Sequence, residues 1–140
     1  MADLRRVHRS FRLRPGTSER LARRAAETGE TYTALAERFI DEGLRRQDHP
    51  AIDFVDGPAG RRARIVGTGL GVWELVEVLR AHDGSVQRTA DYLEIPVSLV
   101  EAAAAYYADH PEEIDRWIDL NRSVAAREAT RRRGVNPRDA

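Results

Sequence analysis

The sequence predicts a mainly α-helical protein made of small units, not one large core, and three observations carry that reading. Hydrophobic residues make up 41% of the 140, but aromatics only 6%; large cores lean on aromatics, whereas small helical units bury area by pairing. Apolar residues recur at helical spacing over most of the chain, with strand-like alternation confined to residues 5–14 and two short later runs. Charge is segregated although the formal net charge is zero. Residues 1–24 hold eight Arg against Asp3 and Glu19, residues 49–118 hold six Arg against twelve acids, and residues 119–140 hold six Arg against three. A basic head, an acidic middle and a basic tail imply separate partners for separate segments.

The chain contains no cysteine, so disulfides and thiolate metal sites are excluded and a reducing cytoplasm is the expected compartment. No apolar run approaches the roughly 20 residues that span a bilayer. The opening MADLRRVHRSFRL lacks the apolar stretch of a signal peptide. A cytoplasmic protein with no membrane partner is therefore expected.

In RRVHRSFRLR, residues 5–14, Val7, Phe11 and Leu13 fall on one strand face and His8, Ser10, Arg12 and Arg14 on the other. Pro15-Gly16 ends the run, and Thr17 or Ser18 is positioned to cap a helix that continues to about Thr28, where Gly29 stops it. Thr31 caps a second helix, about 32–46, with the stripe Leu35, Ala36, Phe39, Ile40 and Leu44. Gln47-Asp48-His49-Pro50 reads as a linker. One amphipathic strand and two short helices cannot form a stable core alone, so a second copy of the chain is expected, its strand pairing with this one.

Runs 52–55 and 63–66, joined by the turn-rich Asp56-Gly57-Pro58-Ala59-Gly60, predict a β-hairpin. Gly67-Thr68-Gly69-Leu70-Gly71 leads into a helix of about 72–82 with Trp73, Val76 and Leu79 inward. Further helices are expected at about 86–93 behind Ser85, from the Glu94-Ile95-Pro96 turn to about Asp109, and from about Glu112 with Ile114, Trp117, Ile118, Val124 and Ala125 as its stripe. Tyr106 and Tyr107 are candidate interface anchors. The end, residues 131–137, reads as disordered in isolation.

Over about residues 5–46 the chain resembles the Arc/MetJ ribbon-helix-helix family. Leu13 ends the strand, Leu21 and Ala25 fall on the first helix, Gly29 at its stop, and Thr31-Tyr32-Thr33 precedes the core of the second. In that family two strands form a ribbon that enters the DNA major groove. The resemblance implies base reading by His8, Ser10 and Arg12, phosphate affinity from Arg14, and a phosphate held at the helix start by Thr31, Tyr32 and Thr33. Arg9 departs from the family's inward apolar residue. The alternative is a plain dimerisation module with a solvated Arg face.

Residues 49–118 resemble the antitoxin-like domain numbered 433 among domains of unknown function, which accompanies PIN-type ribonuclease toxins. The hairpin with Gly57 and Gly60, the stretch GVWELV at 71–76, TADYLEIP at 89–96, the run 100–107 and HPEEI at 110–114 carry it. Ala90, Leu93, Ile95 and Val100 have helix-turn-helix spacing, but the second of those helices contains no Arg or Lys, so protein contact is expected of it rather than DNA contact. The expected fold is thus a dimeric ribbon-helix-helix (1–48), a hairpin plus helix-turn-helix-like three-to-four-helix domain (49–118), and an Arg-rich end (119–140). The resemblance implies that Trp117, Arg127, Arg131, Arg132 and Arg133 contact a PIN-type toxin's metal-binding carboxylates.

The GTGLG turn at 67–71 lacks the GxGxxG spacing and the second parallel strand of a dinucleotide site. His8, His49, His82 and His110 form no HxxxH pair, and no nucleophile has a partner, so no catalytic set, cofactor or metal is expected. The function these readings imply is an antitoxin that binds operator DNA as a dimer or higher oligomer, represses its own promoter and neutralises a ribonuclease. The rival reading is a stand-alone regulator whose second unit only oligomerises.

Overall fold

A computed structural model describes residues 5–134, which form two compact units that divide between Asp41 and Glu42. The division falls inside the second helix, and each unit is described by itself.

In the first unit, residues 5–14 carry no secondary structure, in contrast to the expected strand. A strand is defined by its partner, and the chain alone offers none. Helix α1 spans Pro15–Thr28. Its N-cap is Arg14 and not Thr17 or Ser18, because Pro15 supplies a pre-set φ where the missing N–H costs nothing. Gly29 ends it at φ 73°, a left-handed conformation that glycine adopts without strain. Helix α2 spans Tyr32–Asp48. The Thr31 hydroxyl accepts from the Ala34 N–H at 3.1 Å, as the cap position requires. Among the described residues of this unit, Ala25 and Leu35 are the buried apolar ones.

The second unit begins with the last turns of α2, so the stretch 47–50 is not a linker. Asp48 is still helical, and His49 is buried with its Nε2 2.8 Å from Asp109 Oδ2. The reason is chemical: Glu42, Arg45 and His49 all find partners in this unit. Strands β1 (Ile52–Gly57) and β2 (Gly60–Ile65) form the antiparallel hairpin, with Ile52 opposite Ile65 and Phe54 opposite Ala63. Period-two alternation turns these four inward, and all are buried. Helices α3 (Val72–Ala81), α4 (Val86–Leu93), α5 (Val97–Asp109) and α6 (Pro111–Gly134) close over them.

The core gathers the hairpin's inner face with Val72, Leu75, Val76, Ala90, Val100, Ala103, Tyr106, Ile114 and Ile118. Tyr106 is fully buried, so it is a core residue and not an interface anchor. The Gly-rich turn positions α3: Gly67 and Gly69 have φ 80° and 71°, and a Cβ on Gly71 would lie 2.9 Å from Trp73 Nε1. Residues 131–134 belong to α6 and are not disordered; residues 135–137 of that expectation lie outside the described part. Among the described residues no helix is long and apolar enough to cross a membrane.

Candidate nucleic-acid interface

Residues 5–14 run exposed beside α1 and α2, with φ −61° and ψ 145° at Arg14 marking extended backbone before the helix. His8, Ser10, Arg12 and Arg14 are all exposed. Among the described residues, Arg12 and Arg14 make no ion pair, whereas Arg6 reaches Glu37 at 2.6 Å. Val7, Phe11 and Leu13, which alternate with these residues in the sequence, are exposed too, at 71%, 65% and 42%. Apolar groups of that size are costly to leave in water.

Behind the segment lies an open groove of about 560 Å³, lined by Phe11, Leu13, Leu21, Ala36, Phe39 and Ile40 among others. Phe39 and Ile40 are each nearly half exposed. The α2 stripe is therefore as regular as its sequence period, but one chain covers only Leu35 of it.

Thr31, Tyr32 and Thr33 stand exposed at the α2 N-terminus. Thr31 answers two N–H groups, that of Ala34 through its hydroxyl and that of Leu35 through its carbonyl at 3.0 Å. The Tyr32 and Thr33 N–H groups remain on the positive end of a helix with no acid in its first turn. Arg38 pairs with Glu30 at 2.6 Å and fixes the approach to this terminus.

The second unit's expected contacts lie elsewhere. Trp117 is half-buried against the hairpin tip, with Gly60 beside its ring. Arg127, Arg131, Arg132 and Arg133 are exposed along α6. The helix brings all five onto one element but spreads them over its circumference.

Sequence reasoning missed a polar cluster where α2 meets the α5–α6 corner. Arg45 donates to Tyr106 Oη at 2.8 Å and to Glu113 Oε2 at 2.9 Å, and Tyr106 donates to the same carboxylate oxygen at 2.7 Å. Burial, reinforced by the Glu113 carboxylate, pushes the Tyr106 hydroxyl well above its ordinary value, so it stays a neutral donor. His110 stacks near Tyr106 with ring centroids 4.6 Å apart. Its burial and the Arg45 charge lower its pKa below 6.5. Only the pairing of His49 with Asp109 and of Arg45 with Tyr106, 60 and 61 residues apart, reveals this cluster, and no local pattern does. Among the described residues no group of three or more His, Cys, Asp or Glu is placed to hold a metal ion.

No family model, curated protein or solved structure matches the chain.

Proposed function

We infer that the protein is a cytoplasmic DNA-binding antitoxin whose N-terminal unit works as a dimeric ribbon-helix-helix. The observation that carries this is segment 5–14, which has no regular structure in the single chain, is exposed along its length, and alternates basic or polar residues with the exposed apolar Val7, Phe11 and Leu13. A second copy supplies both missing elements. Its segment pairs antiparallel with this one, and its α1 and α2 cover Phe11, Leu13, Phe39 and Ile40. The ribbon's outer face then presents His8, Ser10 and Arg12 from both chains at the width of a major groove. Arg14 and the Tyr32 and Thr33 N–H groups are suited to the flanking phosphates.

The antitoxin part of the reading rests on the resemblance of residues 49–118 to the domain that accompanies PIN-type ribonucleases, and on the Arg-bearing end of α6. Arg127 and Arg131 to Arg133, with Trp117, would meet the carboxylates of such a toxin by charge-assisted hydrogen bonds.

The deciding experiment is a gel shift on the DNA upstream of the protein's own gene. Arg12→Ala is expected to weaken specific binding by about 1–3 kcal/mol while leaving the assembly's mass unchanged. Binding as tight as that of the unaltered chain would sink the ribbon assignment. Co-expression with the adjacent gene tests the toxin reading separately: if that gene is toxic and this chain fails to restore growth, the antitoxin part is lost.

A further inference from the structure

α6 is a 24-residue helix, and its own unit buries only Ile114 and Ile118 of it. From residue 119 to residue 134 every side chain except that of Ala129 is exposed. An unpacked helical stretch of this length is marginal in water, because most helical stability comes from a covered apolar face.

The spacing along the helix offers a face to cover. Glu113, Trp117, Leu120, Val124, Arg127 and Arg131 follow one another at steps of four, three, four, three and four residues, which is a heptad seam. Its middle is apolar and open, with Leu120 43% and Val124 45% exposed. The seam is also complementary to its own reverse. Turned end for end about residue 122, it sets Leu120 opposite Val124, Trp117 opposite Arg127, and Glu113 opposite Arg131. In a parallel pair the same residues would meet their own copies, with Arg127 on Arg127 and Arg131 on Arg131.

We propose that α6 pairs antiparallel with α6 of a second copy across a two-fold axis near residue 122. The contact is isologous and closes on two chains. Trp117 and Leu120 border a recess of about 380 Å³ that Ala59, Gly60, Arg61 and Arg116 also line. Because two arginines already stand there, the partner's Arg127 lies over the outer face of the Trp117 indole and not in the recess. Both internal hydrogen bonds of Glu113 end on Oε2, which leaves Oε1 for the partner's Arg131. This contact involves no residue of the N-terminal unit and does not rest on the DNA reading; it shares Trp117, Arg127 and Arg131 with the proposed toxin contact, so a toxin bound there would open the seam, and the seam is that of the chain without toxin. If the N-terminal unit also pairs two chains, the two contacts together link dimers into larger assemblies.

The test uses the full chain, which contains no cysteine of its own. Leu120→Cys and Val124→Cys chains, distinguished by tags of different length, are co-expressed and oxidised. The antiparallel register predicts one dominant interchain product containing one chain of each kind, and little product from either variant alone. Efficient linking of either variant with itself, or no linking in the mixture while circular dichroism shows intact helices, overturns the proposal. As a second measurement, Arg127→Glu should lower the mass seen by light scattering and Arg127→Lys should restore it. An unchanged mass with Arg127→Glu counts against the seam.

Discussion

Glu42 is 5% exposed, and the Arg61 guanidinium meets it through Nε at 3.0 and 2.6 Å and through a terminal nitrogen at 2.6 Å. Arg61 also reaches Asp56 at 3.2 Å, and the two carboxylates together hold its pKa above the ordinary arginine value, the Glu42 hydrogen bond contributing most. A carboxylate that deep is tolerable only with its partner in place. Truncating the partner as Arg61→Ala is expected to destabilise the second unit by about 3 kcal/mol, at the low end of the range for buried pairs because Arg61 itself is partly exposed. Glu42→Gln, which leaves the buried group neutral, should cost less. Urea denaturation of the three chains decides, and an Arg61→Ala chain as stable as the unaltered one would show the pair to be dispensable. None of this was legible in the sequence. Glu42 stands in a helix rich in charges, on a periodicity that says which face is apolar but not which acid finds a partner 19 residues away. Leu35 and Ile118, by contrast, could be assigned their buried faces from spacing alone.

At the scale of elements, breakers and caps carried most of the information. Gly29, Ser85, the Glu94-Ile95-Pro96 turn and Pro111 all stand at helix limits, since each acts within a turn of its own position. The end of α6 was hidden for the same reason. Beyond Ala125 there is no apolar period, and the Arg run reads as solvated chain, but Ala and Arg are strong helix formers and no breaker interrupts them before Gly134. The α5–α6 corner makes a prediction about pH. His110 faces Arg45, Glu113, His49 and Asp109, and its folded-state pKa lies below 6.5. The unfolded chain therefore takes up the proton first as pH falls, so stability declines from about pH 6.5 downward through the folded value. His110→Gln should flatten that decline. Urea midpoints at pH 7.5 and 5.5 check it, and equal slopes in both chains would remove His110 from the account. A second acid limb belongs to Asp115, whose carboxyl is held low by hydrogen bonds from Tyr107 and Arg80; its contribution is lost only below pH 3.8.

For the whole molecule, the unsatisfied parts are more informative than the satisfied ones. The second unit has a closed core in which hairpin and helices cover one another. The first unit leaves an apolar groove of about 560 Å³ open and residues 5–14 exposed without regular structure. The proposed second copy rests on this opening together with the sequence alternation over residues 5–14, because an amphipathic strand of this length would not stand alone. The sequence could not foreshadow that α2 ends inside the second unit, since the contacts of Glu42, Arg45 and His49 depend on the folded hairpin and on α5 and α6. Phe39→Asp should accordingly reduce the mass of the full-length assembly and leave the second unit's unfolding transition unchanged. A constant mass across light-scattering measurements would mean that the groove has another occupant.

The central claim is that two N-terminal segments form a ribbon that reads DNA. It is tested most directly by fluorescence anisotropy of the full chain, at roughly physiological salt, on a duplex from upstream of its own gene and on a scrambled duplex of equal length and composition. The account predicts binding that is at least about a thousandfold tighter to the first duplex, as specific readers show over non-specific ones, with chains bound in multiples of two per site. Equal affinity for both duplexes, or one chain bound per site, would contradict it.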